Sequence, residues 1–383
     1  MGGDDTHPDG GAVATEGQSV IGRARTLAGH DSAVFVGTVV ALLVFPYLLI
    51  DGLGMVADVV GMRIGGYEGL ASLVLIYGIV VIGFNLLLGY TGLLSFGHAA
   101  FFGTAAYTAG IFSAQVSGSP LLMVIVGTVV ATVLAWPIGF LSIRRSGVYF
   151  AVLTLTFGQM LYFYALGPGS WLTDGDNGFS NVQVGELLGT LDLGSHVPFL
   201  GTWMYVFVAV FTVLAVIVAA RILNSPYGLI FKALGENEQR VSFVGLDVFR
   251  YKLMAFIISA TFAGVGGSLF VIHETYIHPT TGLYWITSGD FVIMTVLGGT
   301  GTLVGPVFGA FVFEYISNVL SGVSLPVIGA IGSLWRLILG AVFVVVVWWL
   351  PEGIYGALKS AVVWSVDRIE GNGARPSPEG GDD

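Results

Sequence analysis

Apolar residues dominate long stretches of this chain with no polar face, and short polar segments punctuate them. A membrane-crossing helix needs about 20 such residues, because 1.5 Å of rise per residue must cover about 30 Å of hydrocarbon. On that rule the pattern predicts spans at Ala33–Ile50, Gly69–Leu88, Leu93–Ala114, Pro120–Ser142, Val148–Leu166, Phe199–Arg221, Tyr251–Ile272, Thr302–Leu320 and Gly332–Leu350. Ile286–Gly299 is shorter and reads as either a short span or a re-entrant helix. The fold class expected is an all-α polytopic membrane bundle of about 8–10 spans with Gly-rich interruptions.

The basic residues give the orientation. Arg144 and Arg145 follow the fourth span, and Arg221, Lys232, Arg240, Arg250 and Lys252 cluster after the sixth. The loop from Gly167 to Pro198 carries Asp174, Asp176, Glu186 and Asp192 but no Lys or Arg. An excess of Lys and Arg marks cytoplasmic loops, so both termini are expected in the cytoplasm and the number of crossings is expected to be even. Twelve of the fourteen basic residues then lie inside; Arg63 and Arg336 do not. The expected organisation is a disordered acidic tail over 1–32, a transmembrane domain over 33–356 and a second acidic cytoplasmic tail over 357–383. Within the domain, 222–250 is a cytoplasmic loop and 167–198 an extracytoplasmic one.

Composition agrees with a membrane protein. Of 383 residues, 55% are hydrophobic and 10% charged, against about 25% charged in soluble domains. There is no cysteine, which excludes disulfides, thiolate catalysis and Cys-ligated metal. The net charge of −10, with acidic tails and lysine at only three positions, suits a high-salt cytoplasm. No basic stripe suggests nucleic-acid binding. No GxxxxGK[ST], HExxH or GxSxG is present, so neither a nucleotide site nor an enzyme is expected, and no metal or cofactor.

Glycine occupies 57 positions. In "GYTGLLSFGHAAFFGTAAYTAG" (Gly89–Gly110), Ala99 and Gly103, then Ala106 and Gly110, repeat at one helical turn. In "GGTGTLVGPVFGAF", Gly301, Gly305 and Gly309 form a GxxxGxxxG ridge with Pro306 inside it. Small-xxx-small faces let helix backbones approach closely. Two readings stay open: ordinary tight packing, or broken helices that shape a path for solute.

Four polar residues are candidates for that path: Asn85, Ser95, His98 and Glu314. His98 is either a ligand-contacting histidine or a hydrogen-bonded structural one near the cytoplasmic interface, and proximity to water favours the second. Glu314 lies deep in "VGPVFGAFVFEYISNVL", where a carboxylate costs about 2.5–3.5 kcal/mol to insert. Structural pairing, with Arg336 a candidate, and a transport role both remain open; Asp290 poses a weaker version of the question.

The segment Arg221–Leu253 reads as two short helices joined at a bend. Ser225–Pro226 is a helix start. Leu229, Ile230, Ala233 and Leu234 give an apolar face, and Gly235 breaks the run. Such a pair either rests on lipid headgroups or docks a partner.

Three stretches together resemble a known family. They are "LLLGYTGLLSFGHAAFFGTAAYTAG"; "SGVYFAVLTLTFGQM" followed by "LTDGDNGFSNV"; and "SPYGLIFKALGENEQRVSFVGLDVFRYKLMAFIISATFAGVGGSLF" with "VIMTVLGGTGTLVGPVFGAFVFE" and "WLPEGIYG" behind it. In order and content they resemble the LivM-type permease subunit of branched-chain amino acid ABC importers, over roughly Gly69 to Gly356. The resemblance implies that Gly235, Glu236, Asn237, Glu238 and Gly245 belong to coupling helices that insert into a cytoplasmic ATPase. It implies four partners besides lipid: a paralogous second permease, two ATP-binding subunits and an extracytoplasmic binding protein. Import of hydrophobic amino acids would proceed by alternating access between the two permeases. The chain departs from the family at Asp174, where a small residue is usual, and at Gly235 and Phe243, where a helix former and an alanine are expected. Urea or short-chain amide permeases of the same fold, and an ion-coupled secondary transporter using Glu314, Asp290 or His98, are the competing functions.

Overall fold

The computed structural model describes residues 40, 44, 67–185, 202–322, 324–325, 329–330, 335–350 and 353–357. Apart from Val40 and Val44, the expected first span Ala33–Ile50 lies outside them, as do both tails and residues 186–198 of the loop after the fifth expected span.

The described chain is an all-α polytopic bundle. In order its helices are α1 (Tyr67–Thr91), α2 (His98–Gln115), α3 (Pro120–Ser142), α4 (Val148–Leu166), α5 (Thr202–Leu223), α6 (Pro226–Glu236), α7 (Glu238–Phe243), α8 (Val248–Glu274), α9 (Trp285–Gly298), α10 (Gly305–Gly322) and α11 (Trp335–Trp349). Single helical turns add Ser170–Thr173 and Pro279–Gly282. Two antiparallel two-residue strands, Ser324–Leu325 and Gly329–Ala330, join α10 to α11. Pro120–Ser142 and Val148–Leu166 match the pattern-based boundaries residue for residue.

Among the described residues five helices are long and apolar enough to cross a membrane. Burial separates them into two groups. In α1 and α8, 89% and 78% of the apolar window is inside the protein, whereas in α3, α4 and α5 about a third is. A helix apolar all round is either core or lipid-facing. α1 and α8 are therefore the central pair, with α2 and α3 packed on α8 and with α5 and α10 on α1. Val133, Trp136, Val152 and Phe163 on the outer helices are exposed, as lipid-facing side chains are.

The bundle has two distinct ends. At one, Phe140 of α3 meets Phe249 of α8 edge to face, Arg144 stacks over Phe140 at 4.5 Å, and α6 and α7 pack nearby; this is the basic end. At the opposite end the α4–α5 loop is tied to the segment after α8. Phe179 and Ile277 exchange backbone hydrogen bonds (2.8 and 3.0 Å), and the Tyr276 hydroxyl donates to the Asn177 carbonyl at 3.0 Å. Asp174 in that loop adopts a left-handed backbone (φ 58°). Glycine suits such a site because it has no Cβ, and Asp is one of the few other residues that tolerate it.

Three sequence expectations need correction. The third span does not begin at Leu93: α2 starts at His98, and Leu93–Gly97 is a non-helical entry with Leu93, Ser95 and Gly97 buried. Gly92 turns the chain with a φ of +71°, and the Ser95 hydroxyl accepts from the Gly97 amide at 3.3 Å. Next, Gly301 is not on a helical ridge. It sits in the α9–α10 connection at φ +77°, and Pro306 lies in the first turn of α10, where its missing N–H costs nothing, instead of kinking the helix. Only Gly305 and Gly309 of that trio are helical. Third, Gly235 does not break α6, which runs on to Glu236.

α9 runs between the ends rather than folding back. Tyr284 at its start meets the ring of Tyr162 of α4 at a tilt (4.9 Å between centroids), while Gly299 at its end contacts Gly353, beyond α11. Fourteen residues rise about 21 Å.

Glycine allows α9 and α10 to cross in near backbone contact. A Cβ on Gly309 would collide with the Met294 carbonyl, and one on Gly298 with the Gly305 carbonyl. Around Gly289, also on α9, nothing lies within 4 Å. Gly309→Ala is therefore expected to destabilise the protein by about 2 kcal/mol or more through overpacking, whereas Gly289→Ala leaves it unchanged or slightly firmer. Thermal unfolding of the two detergent-solubilised variants checks this pair.

Candidate functional site

Asn85 lies on α1, buried at 2% exposure. Its Nδ2 donates to the Thr302 carbonyl at 2.7 Å, and its Oδ1 accepts from the Gly301 amide at 3.0 Å. These two bonds satisfy the backbone where the α9–α10 connection leaves helical geometry. Thr302 completes the connection: its hydroxyl donates to the Gly299 carbonyl (2.9 Å) and accepts from the Gly305 amide (3.2 Å). Replacing Asn85 by Leu would leave the part-buried Gly301 amide and Thr302 carbonyl without this partner. The expected loss is about 1–3 kcal/mol, read as a lowered unfolding temperature and reduced recovery of the folded chain.

Ser95 and His98 are both fully buried. His98 Nδ1 is 2.9 Å from Ser95 Oγ, and Nε2 is 2.8 Å from Ser259 Oγ on α8. The rings of Phe84, Phe101 and Phe256 stand edge-on around the imidazole at 4.9–5.7 Å. Both ring nitrogens are engaged and no face is open, so this geometry joins α1, α2 and α8 and offers no nitrogen to a solute. Sequence placed His98 beside water; the structure places it in an aromatic box. Ser288 of α9 adds a further tie, accepting from the Ala99 amide at 2.8 Å in the first turn of α2. Gly103 continues the close approach, since a Cβ there would lie 2.6 Å from the Gly282 carbonyl.

Glu314 is half-buried on α10. It lines a cavity of about 390 Å³ near the end opposite the basic one, between α1, α9, α10 and α11. Asp290 of α9 and Arg336 of α11 line the same space, with Tyr77, Thr287 and Met294 among the other walls. The cavity thus brings together the three charged residues that sequence placed at membrane depth or at the end of the last span.

The predicted coupling residues form one mounted unit at the basic end. Ser225 and Pro226 start α6 as expected. Its buried face is Gly228, Phe231 and Leu234, not the expected Leu229-containing set; Leu229 is exposed. Gly235 packs against α1, where a Cβ would lie 2.5 Å from the Tyr90 carbonyl. Lys232 reaches over the Tyr90 ring at 5.8 Å. Glu236 ends α6 and is exposed. Asn237 caps α7 by accepting from the Arg240 amide at 3.1 Å. Glu238 pairs with Lys252, a nearly buried lysine on α8. Gly245 closes α7 at φ +87°: its amide bonds the Ser242 carbonyl (2.9 Å) and the Leu246 amide bonds the Val241 carbonyl (3.4 Å). That double bond is the Schellman termination, which uses a left-handed residue and favours glycine. The result leaves Phe243 and Val244 projecting, 87% and 79% exposed.

Sequence reasoning missed Lys252 and Ser259. Lys252 had a signal, a lysine at the threshold of an apolar run that needs a partner within reach. Ser259 had none.

A second cavity, of about 380 Å³, lies where this unit meets the α9–α10 connection, lined by Gly89, Tyr90, Lys232, Gly235 and Gly301 among others. Residues 66–347 match the family described as the permease component of the branched-chain amino acid transport system. The chain belongs to this family. It is 28% identical over 309 residues, 76% of its length and 70% of the relative's, to the high-affinity branched-chain amino acid transport system permease protein LivM of Escherichia coli K12. It is 20% identical over 320 residues, 73% of its length and 90% of the relative's, to the probable branched-chain amino acid transport permease protein LivM of Methanocaldococcus jannaschii. A shorter match, 30% identical over 30% of this chain and 34% of the relative, is to the autoinducer 2 import system permease protein LsrC of Yersinia pseudotuberculosis. No solved structure matches the chain. This permease component is a multi-pass protein of the plasma membrane.

Proposed function

We propose that this permease subunit imports branched-chain or other hydrophobic amino acids, using ATP hydrolysed by separate subunits that dock on α6 and α7. The observation that carries the reading is the mounting of α6–α7. One face is buried in the bundle through Phe231, Leu234 and Val241, its position is held by the Glu238–Lys252 pair and by Gly235 on α1, and its tip exposes Phe243 and Val244. An apolar tip on a rigid mount suits a partner groove, where a few desolvated side chains carry most of the affinity. An ion-coupled carrier has no use for such a tip.

Family membership supports the rest of the proposed assembly: a paralogous second permease across the membrane plane, two ATP-binding subunits below, and an extracytoplasmic binding protein above. The distribution of basic residues supports a cytoplasmic position for α6–α7 and for both termini.

Phe243→Glu tests the docking assignment. The side chain makes little contact within this chain, so thermal stability is expected to stay unchanged, while solute uptake by the assembled transporter falls about tenfold or more. Normal uptake would remove α6–α7 as the docking surface.

A further inference from the structure

The cavity walled by α1, α9, α10 and α11 has a chemistry that the docking surface does not explain. Its volume of about 390 Å³ is at the small end of the range for ligand pockets, about 300–1,000 Å³. One part of the wall is charged, with Asp290, Glu314 and Arg336; another is apolar, with Ile286, Met294 and Phe313. Tyr77 and Thr287 add hydroxyl groups.

The charges are unevenly matched. Arg336 shares the cavity wall with two acids, Asp290 and Glu314. Glu314 has no hydrogen bond or ion pair among the described residues, and it is half-buried. A half-buried carboxylate in that setting is costly until a cation reaches it. Arg336 can in turn hold more than one carboxylate, because a guanidinium carries five donors.

We propose that this cavity binds the zwitterionic head of an α-amino acid, with the ammonium group at Glu314, the carboxylate at Arg336 and the aliphatic side chain against Ile286, Met294 and Phe313. The proposal rests on the reading of the chain as an amino acid permease and adds that this subunit has a recognition site of its own. It also separates amino acids from neutral amides, which would leave Glu314 without a counter-charge.

The test uses the full chain purified with its partners in lipid nanodiscs, without the extracytoplasmic binding protein, and measures radiolabelled leucine binding. Leucine is expected to compete about tenfold or more better than leucinamide, which lacks the carboxylate, and than 4-methylpentanoate, which lacks the ammonium. Glu314→Gln should weaken leucine and abolish its advantage over 4-methylpentanoate; Arg336→Gln should abolish its advantage over leucinamide. Equal competition by the three compounds on the unaltered protein overturns the site, and that comparison stands even where a variant does not assemble. Undiminished discrimination in both variants also overturns it. Leucine uptake measured in parallel on the complete transporter separates the two readings. Uptake without discrimination in nanodiscs removes the site and leaves the permease function, whereas absence of leucine uptake removes both.

Discussion

Inside hydrocarbon an unpaired backbone amide or carbonyl costs several kcal/mol, and this cost governs where the chain can leave helical geometry. The α9–α10 connection meets it with the side chain of Asn85, which binds one amide and one carbonyl across more than two hundred residues of sequence. The entry to α2 meets it with Ser95 and Ser288. At each interruption a side chain from another helix takes up a freed backbone group, so the interruptions and the packing around them form one problem with one solution.

Glycine makes that solution reachable. α9 and α10 cross where Gly298 and Gly309 face backbone carbonyls, α2 meets α8 where Gly267 faces the Phe102 carbonyl, and α3 meets α2 where Gly127 faces the Ala105 carbonyl. Lipid tails are as apolar as leucine, so helices in a membrane gain little from burying apolar surface and must gain from close contact instead. The composition of the Gly89–Gly110 stretch is then a packing composition. Its one histidine is held at both nitrogens and walled by phenylalanine rings.

The same helix pair reaches both cavities. α9 and α10 carry Asp290 and Glu314 into the cavity near one end, and their connection places Gly301 beside Gly235 of α6 at the other. Gly353 locks onto Gly299 at that basic end. A displacement of α6–α7 therefore meets the connection between the two helices that line the cavity.

Much was legible in the sequence. Uninterrupted apolar runs set helix lengths to within a few residues, because hydrocarbon thickness imposes them, and Ser225–Pro226 marked a helix start through capping chemistry that is local. Quoted motifs were enough to place the chain in its family. What sequence could not show depends on which helices become neighbours. The spacing of Gly301, Gly305 and Gly309 looked like one ridge, but the first is a turn residue, since Asn85 and Gly89 from a distant helix take hold of the connection there. Leu229 scored as a buried position and faces outward, because α1 and α8 set which side of α6 is covered. His98, Asn85 and Glu314 were equivalent as lone polar residues in apolar runs. Tertiary structure alone distinguished them, giving the first two full sets of partners and leaving the third beside an open cavity, because hydrogen bonding and charge pairing across a bundle are properties of neighbours and not of spacing along the chain.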